Sequence, residues 1–193
     1  LDAALNGHVS LEAAAAEMPT TPIANQTAGG DMLYSSGTTG QPKGIRVLPE
    51  SDDIAHLNTS TRVCARLWGL GEDTVYLSPG PLYHSAPLRF SMRAMALGGT
   101  VVVMEHFDPV NFLRCIERYR VTHTQVVPTM FVRLLKLDDA IRAAADVSTL
   151  RCVIHAAAPC PIPVKEKMID WLGPKLWEYY SGTEGMGMTM CNS

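Results

Sequence analysis

Ten consecutive residues, Ser35-Ser36-Gly37-Thr38-Thr39-Gly40-Gln41-Pro42-Lys43-Gly44, concentrate groups that bind anions. Each of the four hydroxyls can donate to a phosphate oxygen. Gly37 and Gly40 let backbone N–H groups approach an anion closely. Lys43 adds a point charge of the right sign. Five hydroxyl or lysine groups in ten residues exceed what a turn between strands needs, so the segment reads as a phosphate cradle. Its spacing departs from the nucleotide loop G-x-x-x-x-G-K-[ST], because Pro42 stands where the second Gly belongs and Gly44 follows the lysine. The dinucleotide pattern G-x-G-x-x-G fails as well.

Three further segments carry chemistry. Tyr180-Ser181-Gly182-Thr183-Glu184-Gly185 follows an apolar run and ends in a carboxylate. Such a Glu can hold Mg²⁺, which takes one or two protein carboxylates and keeps waters. The adjacent ring can stack on a nucleobase. Taken alone, a solvated Glu on a surface turn fits these residues better. Leu82-Tyr83-His84-Ser85 follows Pro79-Gly80-Pro81, and a functional and a packed histidine fit it equally. His155-Ala156-Ala157-Ala158-Pro159 offers small side chains against which a flat ring could lie. By itself it is equally a small-residue turn.

The elements that position these segments follow from periodicity and punctuation. Residues 1–18 are Ala-rich and helix-prone, and 19–30 read as a linker. Short strands are expected at 32–35, 74–78, 100–104, 124–127, 151–155 and 176–180. Helices are expected at 51–68, 85–97, from Asp108-Pro109 through Tyr119, at 128–137 and at 162–172. Alternating strands and helices predict an α/β fold, a mostly parallel sheet flanked by helices. Ligands of such sheets sit beyond the carboxyl ends of the strands. The unusual residues lie there, at 35–44, 79–85, 155–160 and 180–185.

Bulk properties bound the function. The chain has 193 residues, 47% hydrophobic and 18% charged, with a net charge of −3. A sizeable core is expected, and nucleic-acid binding is not, since no basic footprint exists. No apolar run approaches the 18 or so residues of a membrane span. Five cysteines without a C-x-x-C pair suit a reducing, cytoplasmic setting.

Together, the four segments resemble the adenylate-forming enzymes: acyl-CoA synthetases, firefly luciferase and peptide-synthetase adenylation domains. Tyr34 to Gly44 is similar to that family's signature Y-[ST]-S-G-T-T-G-x-P-K-G. Pro81-Leu82-Tyr83-His84 resembles its aromatic-His motif, Ala156 to Pro159 its Gly-Gly-Ala-Pro adenine segment, and Tyr180 to Glu184 its Y-G-x-T-E motif. The resemblance runs from about residue 30 to the end, and its tone is closer to acyl-CoA ligases than to amino-acid-activating domains. It implies ATP-dependent activation of a carboxylic acid, fatty or otherwise apolar, to acyl-AMP with release of pyrophosphate, then transfer to coenzyme A.

By the family's roles, Ser35, Ser36, Thr38, Thr39 and Lys43, with Gly37 and Gly40, would grip the β- and γ-phosphates. Glu184 would hold Mg²⁺, and Thr183 would lie near the α-phosphate. Tyr180, Ser181 and Gly182 would flank adenine opposite Ala156, Ala157 and Ala158. Tyr83 and His84 would line the acid pocket. From the residues themselves, Phe90, Leu88, Met92 and Met95 could line an apolar channel, although a helix with this spacing is more often core.

The sequence departs from the pattern at Ala156-Ala157, at Ser181, and in Ile45 to Glu50, which unsettles the start of the next helix. The resemblance implies that residues 1–29 end a preceding subdomain. Residues 30–193 would be the central AMP-binding subdomain, cut before the C-terminal lid and its lysine, and inactive alone. A non-catalytic nucleotide-binding relative and a phosphate-loop NTPase or phosphotransferase are the alternatives.

Overall fold

In the computed structural model, which describes residues 7–34, 40–185 and 187–193, short apolar runs form strands wherever helices cover them. The order is α1 (Leu11–Ala16), β1 (Met32–Tyr34), β2 (Gly44–Arg46), α2 (Thr59–Trp68), β3 (Val75–Ser78), α3 (Ser85–Ala96), β4 (Thr100–Val103), α4 (Pro109–Tyr119), β5 (His123–Val126), α5 (Pro128–Leu135), α6 (Asp139–Ala144), β6 (Cys152–His155), α7 (Ile162–Leu172), β7 (Leu176–Ser181) and β8 (Met188–Asn192). Six strands form one sheet in the order β4-β3-β5-β6-β7-β8. Its first five strands are parallel, and β8 joins β7 antiparallel. The expected α/β architecture is present.

Alternate residues of each strand feed two cores. Leu77, Val126, Val153 and Leu176 meet Phe112 and Ile116 of α4, Phe131 and Leu134 of α5, and Met168 and Leu172 of α7. Tyr76, Cys152 and Ile154 meet Cys64 and Trp68 of α2 and Phe90 and Ala94 of α3. A sheet of parallel strands buried on both faces needs such runs. The order reverses between β3 and β5, so the crevice of the reversal opens beyond Ser78 and Val126.

Several expectations need correction. β1 does not join the large sheet but pairs antiparallel with β2, with Tyr34 opposite Gly44. The helix expected from Ser51 starts at Thr59. Ser51 and Asp53 instead close turns onto the N–H groups of Asp53 and Ala55. Asn58 caps the helix through the Thr61 N–H at 2.8 Å, and both Glu50 carboxylate oxygens accept from the Thr59 N–H at 2.9 Å. Glu50 therefore stands on the positive end of α2, and the Thr59 N–H holds its carboxyl below the usual range. α1 is shorter than expected, and β2, α6 and β8 were not expected at all.

Two buried histidines make the fold acid-sensitive. In His123, Nε2 lies 2.8 Å from the Trp68 carbonyl and Nδ1 2.8 Å from the Thr122 hydroxyl. Both nitrogens of His155 lack a partner among the described residues, and its ring stands edge-on to Phe131 at 5.2 Å. Burial depresses both pKa values. A depressed imidazole contributes stability that is complete above its unfolded value, about 6.5, and is lost as pH falls below it toward the folded value. The thermal midpoint should hold from pH 8 to about 6.5 and fall below that. His155→Leu should add about 1 kcal/mol at pH 8 by removing unpartnered nitrogens. It should also flatten part of the acid slope. A lower midpoint at pH 8 would contradict this.

Candidate functional site

Because β3, β6 and β7 run parallel, their carboxyl ends deliver three of the four chemical segments to one edge of the sheet. After β3, Pro79 to Pro81 turn the chain into α3. Gly80 permits this close packing, since a Cβ there would fall 2.8 Å from Pro87 Cγ. His84 is the N-terminal cap residue of α3 and makes no side-chain cap bond. It is exposed, and its ring lies 4.5 Å from that of Tyr83.

After β6, Ala156 is buried while Ala157 and Ala158 are exposed. Ala157 has φ +75°, the left-handed region that an alanine pays to enter. His155 pairs with Glu178 across the ladder, and two residues further along each strand come Ala157 and Tyr180. Tyr180 is 82% exposed, a flat apolar face standing in solvent. Beneath it, Lys165 of α7 donates to Glu178 at 2.6 Å. Partial burial pulls the Lys165 pKa down, but the bond and charge of Glu178 outweigh it and hold the amine above its ordinary range.

Thr183 and Glu184 lie in the loop joining β7 to β8, closed by the pair Ser181 and Met188. The Gly185 N–H donates to the Gly182 carbonyl at 3.1 Å, and the Ser181 hydroxyl to the Gly187 carbonyl at 2.9 Å. Glu184 is exposed, and its Oε2 folds back so that a Cβ on Gly182 would meet it at 2.9 Å. Among the described residues no group of three metal-binding side chains exists. A metal here would therefore rest on this carboxylate and on the oxygens of its own ligand, as Mg²⁺ does.

The fourth segment hangs on the β1–β2 hairpin. Ser35, Ser36, Gly37, Thr38 and Thr39 lie outside the described residues. The pair Tyr34 and Gly44 closes the loop that contains them, and Lys43 immediately precedes β2 with its side chain exposed, as is Gly40. The loop is thus anchored at both ends on one ribbon.

Phe90 is not at this edge. It is 2% exposed, with its ring 5.1 Å from Trp68 and 6.1 Å from both Tyr76 and Tyr179. Met92 and Met95, exposed on α3, do not share its direction. The sequence reading missed Asp31 and Arg89. Arg89 Nε donates to Asp31 Oδ2 at 3.0 Å, and Nη1 to the Thr183 carbonyl at 3.5 Å. No local signal marked either residue, since Arg93 repeats the charge one turn after Arg89. A groove of about 820 Å³ between β4 and α4 is lined by none of these segments.

The profile of a family described as "AMP-binding enzyme" matches residues 6–193. The chain is 34% identical over 188 residues to 4-chlorobenzoate–CoA ligase of Pseudomonas sp., covering 96% of the chain and 34% of that ligase. ATP-bound MatB from Rhodopseudomonas palustris superposes with a TM-score of 0.73 at 25% identity, covering 97% of this chain and 36% of that one. The o-succinylbenzoate CoA synthetase MenE of Bacillus subtilis, in complex with an acyl-adenylate intermediate, superposes with a TM-score of 0.67 at 26% identity. It covers 83% of this chain and 31% of that one. The chain spans about a third of the length of the curated relatives it matches.

The left-handed alanine is testable. An L residue there costs roughly 1–2 kcal/mol, and the looser unfolded chain of a glycine offsets about 0.4–1 kcal/mol. Ala157→Gly should therefore be neutral or stabilising by up to about 1 kcal/mol in chemical denaturation. Ala157→Val, β-branched at positive φ, should lose more than 1 kcal/mol, by roughly the same reasoning. A clearly destabilised Ala157→Gly would remove the strain argument.

Proposed function

Since the chain belongs to the AMP-binding enzyme family, we propose that it carries the nucleotide half of an ATP-dependent carboxylate activation. An oxygen of the acid attacks the α-phosphorus, the bond to the β-phosphate oxygen breaks, and acyl-AMP and pyrophosphate result. A thiol, coenzyme A, then takes the acyl group and releases AMP. The observation that carries this reading is the convergence at one sheet edge of His84, Ala156 to Ala158 and Tyr180 to Glu184. Arg89 adds a link from that edge to the base of the hydroxyl-rich loop.

The roles follow from chemistry. Ser35, Ser36, Thr38, Thr39 and Lys43 bind the departing phosphates. Tyr180 and the Ala156 to Ala158 backbone sandwich the adenine, and the small side chains leave room for a ring. Glu184, with Thr183 beside it, is the residue that would hold Mg²⁺, which supplies charge neutralisation on the phosphates when bound. The barrier of such a transfer is mostly charge crowding and orientation, so fixed donors supply most of the rate. Tyr83 and His84 line the acid side. The relatives named for 4-chlorobenzoate and o-succinylbenzoate favour an aromatic acid over a fatty one. All five cysteines are free, which fits a reducing compartment.

In the full-length protein, pyrophosphate should leave ATP only when an acid from a panel of aromatic and fatty carboxylates is present. Orthophosphate release instead would point to an NTPase. ATP binding without adenylate would point to a non-catalytic relative. Lys43→Ala and Glu184→Ala should each slow turnover on the order of 10²-fold, as loss of a single fixed donor does. Unchanged turnover in both would remove the site assignment.

A further inference from the structure

We propose that Arg89 is a positioning residue for adenylation: it ties Asp31, at the entry of the strand that leads into the hydroxyl-rich segment, to the Thr183–Glu184 turn. The inference rests on the adenylation reading for its kinetic consequences and on the bonds of one guanidinium for its geometry. Nε donates to Asp31 Oδ2 at 3.0 Å, Nη2 lies 2.9 Å from the same oxygen, and Nη1 donates to the Thr183 carbonyl at 3.5 Å. The partners lie 58 and 94 residues away. Asp31 is the residue before β1, which runs directly into Ser35. The Thr183 carbonyl belongs to the peptide that carries Glu184. Arg89 itself sits in α3, whose first turn follows His84. One planar fork thus touches the entry of the phosphate loop, the helix of the acid side and the carboxylate turn.

Such a tie is needed because no ladder bonds join the β1–β2 ribbon to the large sheet among the described residues. Side chains must set its position. Both partners of the pair are mostly covered, at 19% and 21% exposure, so the contact is sheltered from the screening that weakens surface pairs. The carboxylate of Asp31 already neutralises the guanidinium, which argues against Arg89 as a phosphate ligand. A single triphosphate must reach both the hydroxyls of residues 35–39 and the oxygens of Glu184, so the spacing between the two is a condition of catalysis. A lysine cannot replace the fork, since an ammonium lacks its fixed planar directions.

The test uses the full-length protein and three variants: Arg89→Met, Arg89→Lys and Asp31→Asn. In ATP–pyrophosphate exchange, Arg89→Met should lose on the order of 10²-fold in rate, the scale for a displaced reacting group. Half-saturation for the acid should stay unchanged, and the Mg²⁺ requirement should rise. Arg89→Lys should not rescue. Asp31→Asn should shift both readouts in the same direction, and the double variant should be no worse than Arg89→Met.

Hydrogen exchange supplies a readout free of turnover. MgATP should protect peptides spanning 31–46 and 181–187 together in the wild type and only one of them in Arg89→Met. If Arg89→Met does not fold, Asp31→Asn decides. Wild-type exchange rate and Mg²⁺ dependence in folded variants would overturn the inference, as would joint protection retained in Arg89→Met. Acid-independent wild-type behaviour would overturn adenylation alone, and the protection pattern would still decide on Arg89.

Discussion

Burial of the central parallel strands β3, β5 and β6 on both faces is the constraint on which the remaining features depend. It forces the connections to be helices, it forces neighbouring residues such as Tyr76 and Leu77 into opposite cores, and it gathers every carboxyl end at one edge. The central strand β5 is nonetheless polar, reading His123-Thr124-Gln125-Val126. The polar groups are accommodated by hydrogen bonds: the Thr124 hydroxyl donates to the Leu77 carbonyl at 2.9 Å, Gln125 Nε2 to the Val126 carbonyl at 2.9 Å, and His123 reaches Trp68 and Thr122. Each bond removes the penalty that an unpaired group would carry in the interior. Ser78 and His155 differ. They end β3 and β6, are fully buried, and have side-chain atoms without partners among the described residues. Unmet hydrogen-bonding capacity therefore sits at the edge where the chemical segments converge.

Above that edge the chemical residues are largely uncovered. Tyr83 is 77% exposed and Tyr180 82%. Rigid strands fix where the described segments start, whereas His84, Ala157, Ala158, Tyr180 and Glu184 are themselves exposed. That division leaves the residues at this edge open to a ligand while the strands beneath them stay fixed. The Lys165–Glu178 pair under Tyr180 stiffens the floor rather than the loop.

Local chemistry made much of this legible in the sequence. α7 has the bounds expected, because Pro161 and Pro163 start it and Gly173 stops it. α4 begins where Asp108 accepts from the Asn111 N–H at 2.7 Å, as its sequence announces. The failures are non-local. Ser51-Asp52-Asp53 is a good cap by composition, yet Glu50 folds over to Thr59 and moves the start of α2 by eight positions. β8 is visible only through its pairing with β7, and β2 only through its pairing with β1. Arg89 and Asp31 are unremarkable until the fold brings them together across 58 residues. Of the site, residue types were readable, while the tie between its parts was not.

Two of the departures from the family pattern, at Ser181 and at Ala157, then separate by backbone geometry. Ser181 stands where the motif has Gly, but it lies inside β7, where any residue fits, and its hydroxyl closes the loop onto the Gly187 carbonyl. The left-handed angles that this loop requires fall on Gly185 at +75° and Gly187 at +113°, residues that adopt them freely. Ala157 has no such relief. It takes +75° with a methyl group, at the turn where the backbone leaves β6. A small strain is retained at this exposed turn beyond the end of β6. The first substitution changes the motif without changing the shape, and the second keeps the shape at a cost in conformational energy.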